Sequence, residues 1–244
     1  MSSRTRTLLV AMLAVVFVAF LALAGCSQGD STTEEARTPP PAGEQPSEEQ
    51  TETPTEGDAL YTPAYTPTGK ETAVIKTSKG DITVELFGDD APIHVGNFVE
   101  LARKGFYDET KFHRYVEGFV VQGGDPNTRE YDAEQVKEMA ARQEQGQIEG
   151  DEKVLGTGGP DYMIKGEFDP AQNPNKHVEG ALGMARSQSP DSAGSQFYFA
   201  LKPLTQLDGQ YTVFGEITDG LDVMKKLRIG DEIVSVEILG GTGE

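Results

Sequence analysis

From about Glu71 onward apolar and polar positions alternate with short periods, and the alternation sets the expected elements. AVIKTSKGDITVELF, residues 73–87, reads as two short strands joined at Ser78-Lys79-Gly80, a hairpin signal. Asp89-Asp90-Ala91-Pro92 then opens a helix, with carboxylates ahead of a proline near the first turn. In IHVGNFVELARKGF, Val95, Phe98, Val99 and Ala102 share one helical face and Gly105 ends it. FHRYVEGFVVQGGD, residues 112–125, shifts to strands around a turn at Glu117-Gly118. GALGMAR, SQFYFAL and TVFGEIT read as further strands, LDVMKKLR as a second helix between Gly220 and Gly230, and EIVSVEIL as a closing strand. Many short strands with two core helices predict a mainly β fold, a closed and mainly antiparallel barrel. One segment breaks the pattern. Residues 127–155 contain YDAEQVKEMAARQEQG, with Asp132 as N-cap and Val136, Met139 and Ala140 on one side, which predicts a polar helix inserted into a loop. The plain alternative for it is a solvated excursion without function.

The two ends of the chain differ in texture. Arg4 and Arg6 precede an uncharged apolar run, residues 8–25, and then Cys26, the single cysteine of the 244-residue chain. A positive start, an apolar stretch and small residues at its end describe an export signal. LAGC, residues 23–26, resembles the lipobox of bacterial lipoproteins, which implies lipidation of Cys26 as the first mature residue. The alternative is an uncleaved membrane anchor, since the run sits at the length threshold for a span. Either reading puts the remainder outside the cytoplasm, and a lone cysteine allows no internal disulfide. Residues 26–70 then read as a tether, because positions 27–70 hold 7 of the 14 prolines, 9 acidic and 2 basic residues, and almost no apolar periodicity. A flexible chain of that length spans roughly 35–40 Å r.m.s.. The net charge of −19 argues against nucleic acid as a partner, and the acidity is read mostly as a solubility feature.

Residues 112–125 carry more chemistry than a strand needs for packing. Arg114, Gln122 and the pair Gly123-Gly124 have no obvious role in a core. FHRYVEGFVVQGGD resembles the signature of the cyclophilin-type peptidyl-prolyl cis-trans isomerases: Phe-His-Arg, then Gly-Phe, then Gln-Gly-Gly-Asp. MARSQSPDSAGSQFYFAL at 184–201 and LDGQYTVFGEI at 207–217 resemble two further stretches of that family, in the same order, so the likeness runs from about Glu71 to Leu239. It implies an eight-stranded closed barrel capped by two helices over residues 71–244, with the insertion added. It also implies an enzyme that rotates X-Pro bonds in exported polypeptides, with Arg114, Phe119 and Gln122 catalytic. Val120, Gln196, Tyr198, Leu207 and Tyr211 would bind substrate, and a substrate strand would pair with backbone at Arg186. Arginine suits the reaction physically. The twisted amide has a localised lone pair on the prolyl nitrogen, and a permanently charged, rigidly forked donor aimed there binds the twisted form best. No bond breaks, so no cofactor or metal is called for. Partners would be proline-containing peptides and unfolded exported chains, with a membrane reached through Cys26 and the protein acting as a monomer.

Some positions depart from the best-known eukaryotic members. Val120 stands for a methionine, Tyr198 for a phenylalanine and Tyr211 for a histidine, and the Tyr198 hydroxyl is expected to narrow or wet the slot. Gln206 stands for a tryptophan that contacts cyclosporin, which implies weak affinity for that inhibitor. His113 is expected to point inward with its ring satisfied, and Asp125 to serve the turn. The alternative function is a weakly active or inactive holdase that grips proline segments on the same fold. A hydrolase is excluded, because Ser187, Ser189, Ser192 and Ser195 lie outside any nucleophile elbow.

Overall fold

The structure, a computed structural model, describes residues 60–148 and 153–241. The expected signal segment, Cys26 and the tether as far as residue 59 lie outside the described residues. Among the described residues nine strands form one sheet: β1 (Thr72–Thr77), β2 (Gly80–Leu86), β3 (Thr110–Lys111), β4 (Arg114–Val116), β5 (Val120–Gly123), β6 (Ala181–Met184), β7 (Phe197–Ala200), β8 (Val213–Asp219) and β9 (Glu232–Leu239). Their order is β3-β9-β1-β2-β8-β6-β7-β5-β4, and every pairing is antiparallel. The expected closed ring of eight strands is therefore corrected to a curled, open sheet whose ends are β3 and β4. Only Phe112 and His113 separate those ends in sequence. Phe112 N donates to Asp231 O at 2.9 Å and His113 N donates to Gln122 O at 3.0 Å. Successive residues thus bond to opposite ends of the sheet, and the chain itself bridges the gap where a ladder would close a barrel.

The first hairpin forms as its pattern predicts, with Thr77 opposite Gly80. Helix α1 (Pro92–Arg103) buries Val95, Phe98, Val99 and Ala102. Its first turn is not served by Asp89 or Asp90. Glu167 accepts from Ile93 N at 3.0 Å and from His94 N and Nδ1 at 2.9 and 2.7 Å, so a carboxylate distant in sequence occupies the positive end of the helix. The inserted helix α2 (Ala133–Glu144) starts at Asp132 with a reciprocal cap from Gln135. It is not a solvated excursion: Val136, Met139, Ala140 and Leu155 form a small core of their own with half-buried Tyr131 and Ile229. The second core helix is shorter than its pattern, α3 (Leu221–Met224). Lys226 N and Leu227 N donate three residues back, to Val223 O and Met224 O, so the turn tightens and stops.

Residues 60–70, read as tether, are folded onto α1. Tyr61 N donates to Met163 O at 2.8 Å, and the Tyr61 ring lies 4.0 Å from that of Tyr162. The Tyr61 hydroxyl and Tyr65 N both donate to Glu100, at 2.6 and 2.8 Å. Glu71, 1% exposed, accepts from the Tyr65 hydroxyl at 2.7 Å, Thr68 N at 2.6 Å and Lys70 N at 3.1 Å. Tyr61 and Tyr65 are the only aromatic residues in the low-complexity stretch, and that was the available signal. Burial pushes the Glu71 carboxyl upward, but the donors from Thr68 and Tyr65 outweigh it and hold it down at about 2. A depressed carboxylate stabilises the fold above its free value and loses that contribution on acidification. The wild-type protein is therefore expected to lose stability between pH 4.5 and about 2, with residues 60–70 the first to gain hydrogen exchange. Glu71→Ala should lower the unfolding free energy by about 2 kcal/mol in urea titrations at neutral pH and flatten that acid slope.

Candidate functional site

Strands β5 and β7 bury both faces. Val121, Phe197 and Phe199 point into the main core with Phe98 and Phe214. The alternate residues Val120, Tyr198 and Ala200 join a second cluster with Ala181, Leu204 and Val213. Two-sided burial explains why FVV and FYFA are apolar runs rather than alternating ones. Half-buried Phe119, Leu207 and Tyr211 edge the second cluster, and a cavity of about 280 Å³ opens over it. Arg114, Phe119, Val120, Gln122, Arg186, Tyr198, Leu207 and Tyr211, eight of the residues expected at the site, line this cavity together with Ala185. Gln196 does not line it. It borders an adjoining cavity of about 440 Å³ that shares Gln122 and Arg186. Cys26 lies outside the described residues.

A polar chain runs beside these cavities. Gln196 Nε2 donates to Gly158 O at 2.7 Å, and Gln122 Nε2 donates to Gln196 Oε1 at 2.9 Å. Gln122 Oε1 then faces Arg114 Nη1 at 3.5 Å, the long limit for a hydrogen bond. The chain fixes the Gln122 amide, and most of the Arg114 guanidinium keeps no partner among the described residues. Arg186 differs sharply. Its guanidinium donates to Gln210 O, Ser187 O and Gln188 O and lies 4.5 Å from the centre of the Tyr211 ring. Of the two arginines at the cavity, Arg114 is the one with donors to spare. At Arg186 the backbone leaves the sheet, because the last bond in this direction runs from Ala185 N to Gln196 O at 2.9 Å.

The Tyr198 hydroxyl neither narrows nor wets the cavity. It lies 2.9 Å from His177 Nε2, and His177 is 2% exposed behind the cavity wall. The ring lies over Gly183, its neighbour in register on β6, where an added Cβ would come 2.4 Å from the ring. Gly183 and His177 were missed in the sequence, although a buried tyrosine in an apolar strand demands a hydrogen-bond partner. Gly124 adopts φ +82°, and a Cβ there would meet Ser195 O at 2.6 Å, so the chain turns where the motif has its second glycine. Asp125 is fully buried and serves the turn, accepting from Asn127 N at 2.8 Å and Gly156 N at 2.5 Å. His113 points inward as expected, but neither ring nitrogen finds a hydrogen-bond partner among the described residues. Burial is the main reason its pKa falls to about 4, against the opposing pull of Asp125.

An apolar slot with a free guanidinium and a fixed amide at its mouth defines a class of protein that grips a small apolar ring and offers donors to the adjoining backbone. Comparison with known proteins identifies the family. The model of the cyclophilin-type peptidyl-prolyl cis-trans isomerases matches residues 72–238. A peptidyl-prolyl cis-trans isomerase of Helicobacter pylori is 45% identical over 166 residues, 67% of this chain and 85% of the relative. Peptidyl-prolyl cis-trans isomerase B of Bacillus subtilis is 38% identical, over 65% of this chain and 91% of its own length. Among solved structures, a cyclophilin-type isomerase of Cryptosporidium parvum, crystallised in the presence of the dipeptide Ala-Pro, superposes with a TM-score of 0.54 at 28% identity. It covers 69% of this chain and 99% of that one. The chain belongs to the cyclophilin-type peptidyl-prolyl cis-trans isomerase family.

Gly183→Ala pushes a methyl group into the Tyr198 ring. It is expected to raise KM for an X-Pro peptide about tenfold and to lower stability by about 1–3 kcal/mol, read from isomerisation kinetics and thermal unfolding.

Proposed function

We propose that this prolyl isomerase accelerates X-Pro rotation in exported polypeptides, with Arg114 as its electrostatic centre. The observation that carries the reading is the uncommitted Arg114 guanidinium at the mouth of an apolar cavity of about 280 Å³. Rotation about the conjugated amide faces a barrier of about 18–20 kcal/mol and takes roughly 10–100 s unaided. Reaching milliseconds requires about 5–6 kcal/mol of differential stabilisation. In this reading Phe119, Val120, Tyr198, Leu207 and Tyr211 hold the prolyl ring. Gln122, immobilised through Gln196, holds the adjoining backbone. A substrate strand pairs with the free backbone at Arg186. Arg114 donates to the prolyl nitrogen only as the amide twists and its lone pair localises, so the interaction is stronger in the transition state than in either planar form.

The setting is read from the chain's start. Arg4 and Arg6, the apolar run and LAGC support export and lipidation of Cys26, and the acidic, proline-rich stretch after it supports a tether ending where residues 60–70 clasp α1. The inserted helix α2 supports a second part of the reading. A cavity of about 380 Å³ lies between it and the catalytic edge, walled by Ala140, Leu155 and Ile229 and bordered by Arg114 and Gln122. Protein clients would rest there while a short peptide needs only the slot.

The test is isomerisation of a short X-Pro peptide by residues 60–244. Arg114→Ala is expected to lower kcat/KM about 10²–10³-fold with peptide binding largely kept, and Arg114→Lys to restore little of it. Peptide binding without acceleration in the unaltered protein would instead make it a proline-gripping holdase. Replacing residues 130–153 by a short linker should slow catalysed refolding of a proline-limited protein about tenfold while peptide turnover stays within about threefold. Loss of peptide turnover in that variant would overturn the recruitment role.

A further inference from the structure

Behind the cavity two connecting segments and a strand meet on two side chains that do not reach it. His177 precedes β6, Tyr198 lies in β7, and Asp208 follows the short 3-10 turn Thr205–Leu207. Asp208 Oδ1 accepts from both His177 N and His177 Nδ1, each at 2.9 Å. With Nδ1 carrying the proton toward the carboxylate, Nε2 keeps its lone pair and accepts from the Tyr198 hydroxyl at 2.9 Å. The two rings lie nearly parallel, 10° apart with centres separated by 6.0 Å. His177 O also accepts from Leu204 N at 2.8 Å, and Leu207, at the mouth of the cavity, directly precedes Asp208. One imidazole therefore ties the wall of the slot to its rim.

We propose that His177 and Asp208 are positioning residues for the proline slot, holding the Tyr198 hydroxyl out of the cavity. This rests on the cavity being the proline slot. The physical need is specific to a tyrosine at this position. A phenylalanine wall asks for no partner, whereas a buried hydroxyl without its acceptor must either stay unsatisfied or swing toward the solvent that enters the slot. Either course worsens the fit to an apolar ring in the ground state and the twisted state alike. The pair is thus expected to act on KM and to leave kcat nearly untouched, since Arg114 lies on a different strand and takes no bond from the relay. Burial, which leads in lowering the His177 pKa against the opposing pull of Asp208, keeps the imidazole in the neutral form that the relay needs.

The deciding experiment is a double-mutant cycle on X-Pro peptide isomerisation. His177→Phe is expected to raise KM about tenfold with kcat within about threefold of wild type. His177→Gln, whose amide oxygen can accept the same hydroxyl, should recover part of the loss, and Asp208→Asn should reproduce it in milder form. In a Tyr198→Phe background, adding His177→Phe should change KM by less than about twofold, because no hydroxyl remains to be misplaced. Circular dichroism establishes folding for each protein. Should His177→Phe fail to fold, His177→Gln and Asp208→Asn, each alone and combined with Tyr198→Phe, carry the same cycle. Multiplicative effects in that cycle would overturn the relay, as would an unchanged KM in the His177 variants while Leu207→Ala at the rim raises it. If Leu207→Ala and Phe119→Ala also leave KM unchanged, the slot reading itself falls and the relay with it.

Discussion

The register of β5 against β7 is the constraint on which the site depends. It sets Gln122 opposite Tyr198 and Val120 opposite Ala200. Because side chains alternate across a strand, a slip of one residue would turn Val120, Gln122 and Tyr198 into the main core and bring Val121, Phe197 and Phe199 out over the cavity. Two cores, one on each face, oppose that slip. The larger is anchored by Phe98 of α1, which meets Phe197 edge-on at 5.8 Å. The smaller lies under the slot. The slot is therefore the open top of a packed cluster, and the same burial that fixes the sheet holds its walls.

Around this frame, carboxylates act as staples between loops. Glu71 gathers residues 65–70, Glu100 receives Tyr61 and Tyr65, and Glu167 closes the start of α1. Asp125 ties the motif's last turn to Gly156 at the return of the insertion, and Asp208 fixes His177. Each accepts backbone N–H groups that would otherwise be left unpaired away from water. Part of the chain's acidity is thus structural, beyond the solubility role that composition suggests. The arginines divide in the same way. Arg186 spends its donors on backbone carbonyls, and Arg114 leaves most of its own uncommitted among the described residues.

Much was legible in the sequence because the signals were local. Strand alternation, the hairpin at Ser78-Lys79, the cap at Asp132 and the apolar face of α1 are properties of a few neighbouring residues. So are the motif residues that line the cavity, since they fall in three short motifs with fixed internal spacing, on β4, β5 and β7 and the segments beside them. The errors came where the deciding partner was distant. Glu167 rather than Asp89 caps α1. The YTPAYTP stretch folds because Glu100 and Glu71 wait for its tyrosines, and low-complexity composition hides that. The two ends of the sheet meet through Phe112 and His113 rather than through a ladder between β3 and β4.

The sequence by itself determined the family, the antiparallel strands, the inserted helix and the identity of the residues around the slot, because periodicity and motif spacing are written along the chain. Tertiary structure alone decided which arginine is free, where the Tyr198 hydroxyl goes, that the His113 ring is buried, and that the insertion packs on a core of its own. Those outcomes depend on groups brought together from positions far apart in the chain, and no local pattern encodes a contact across that separation.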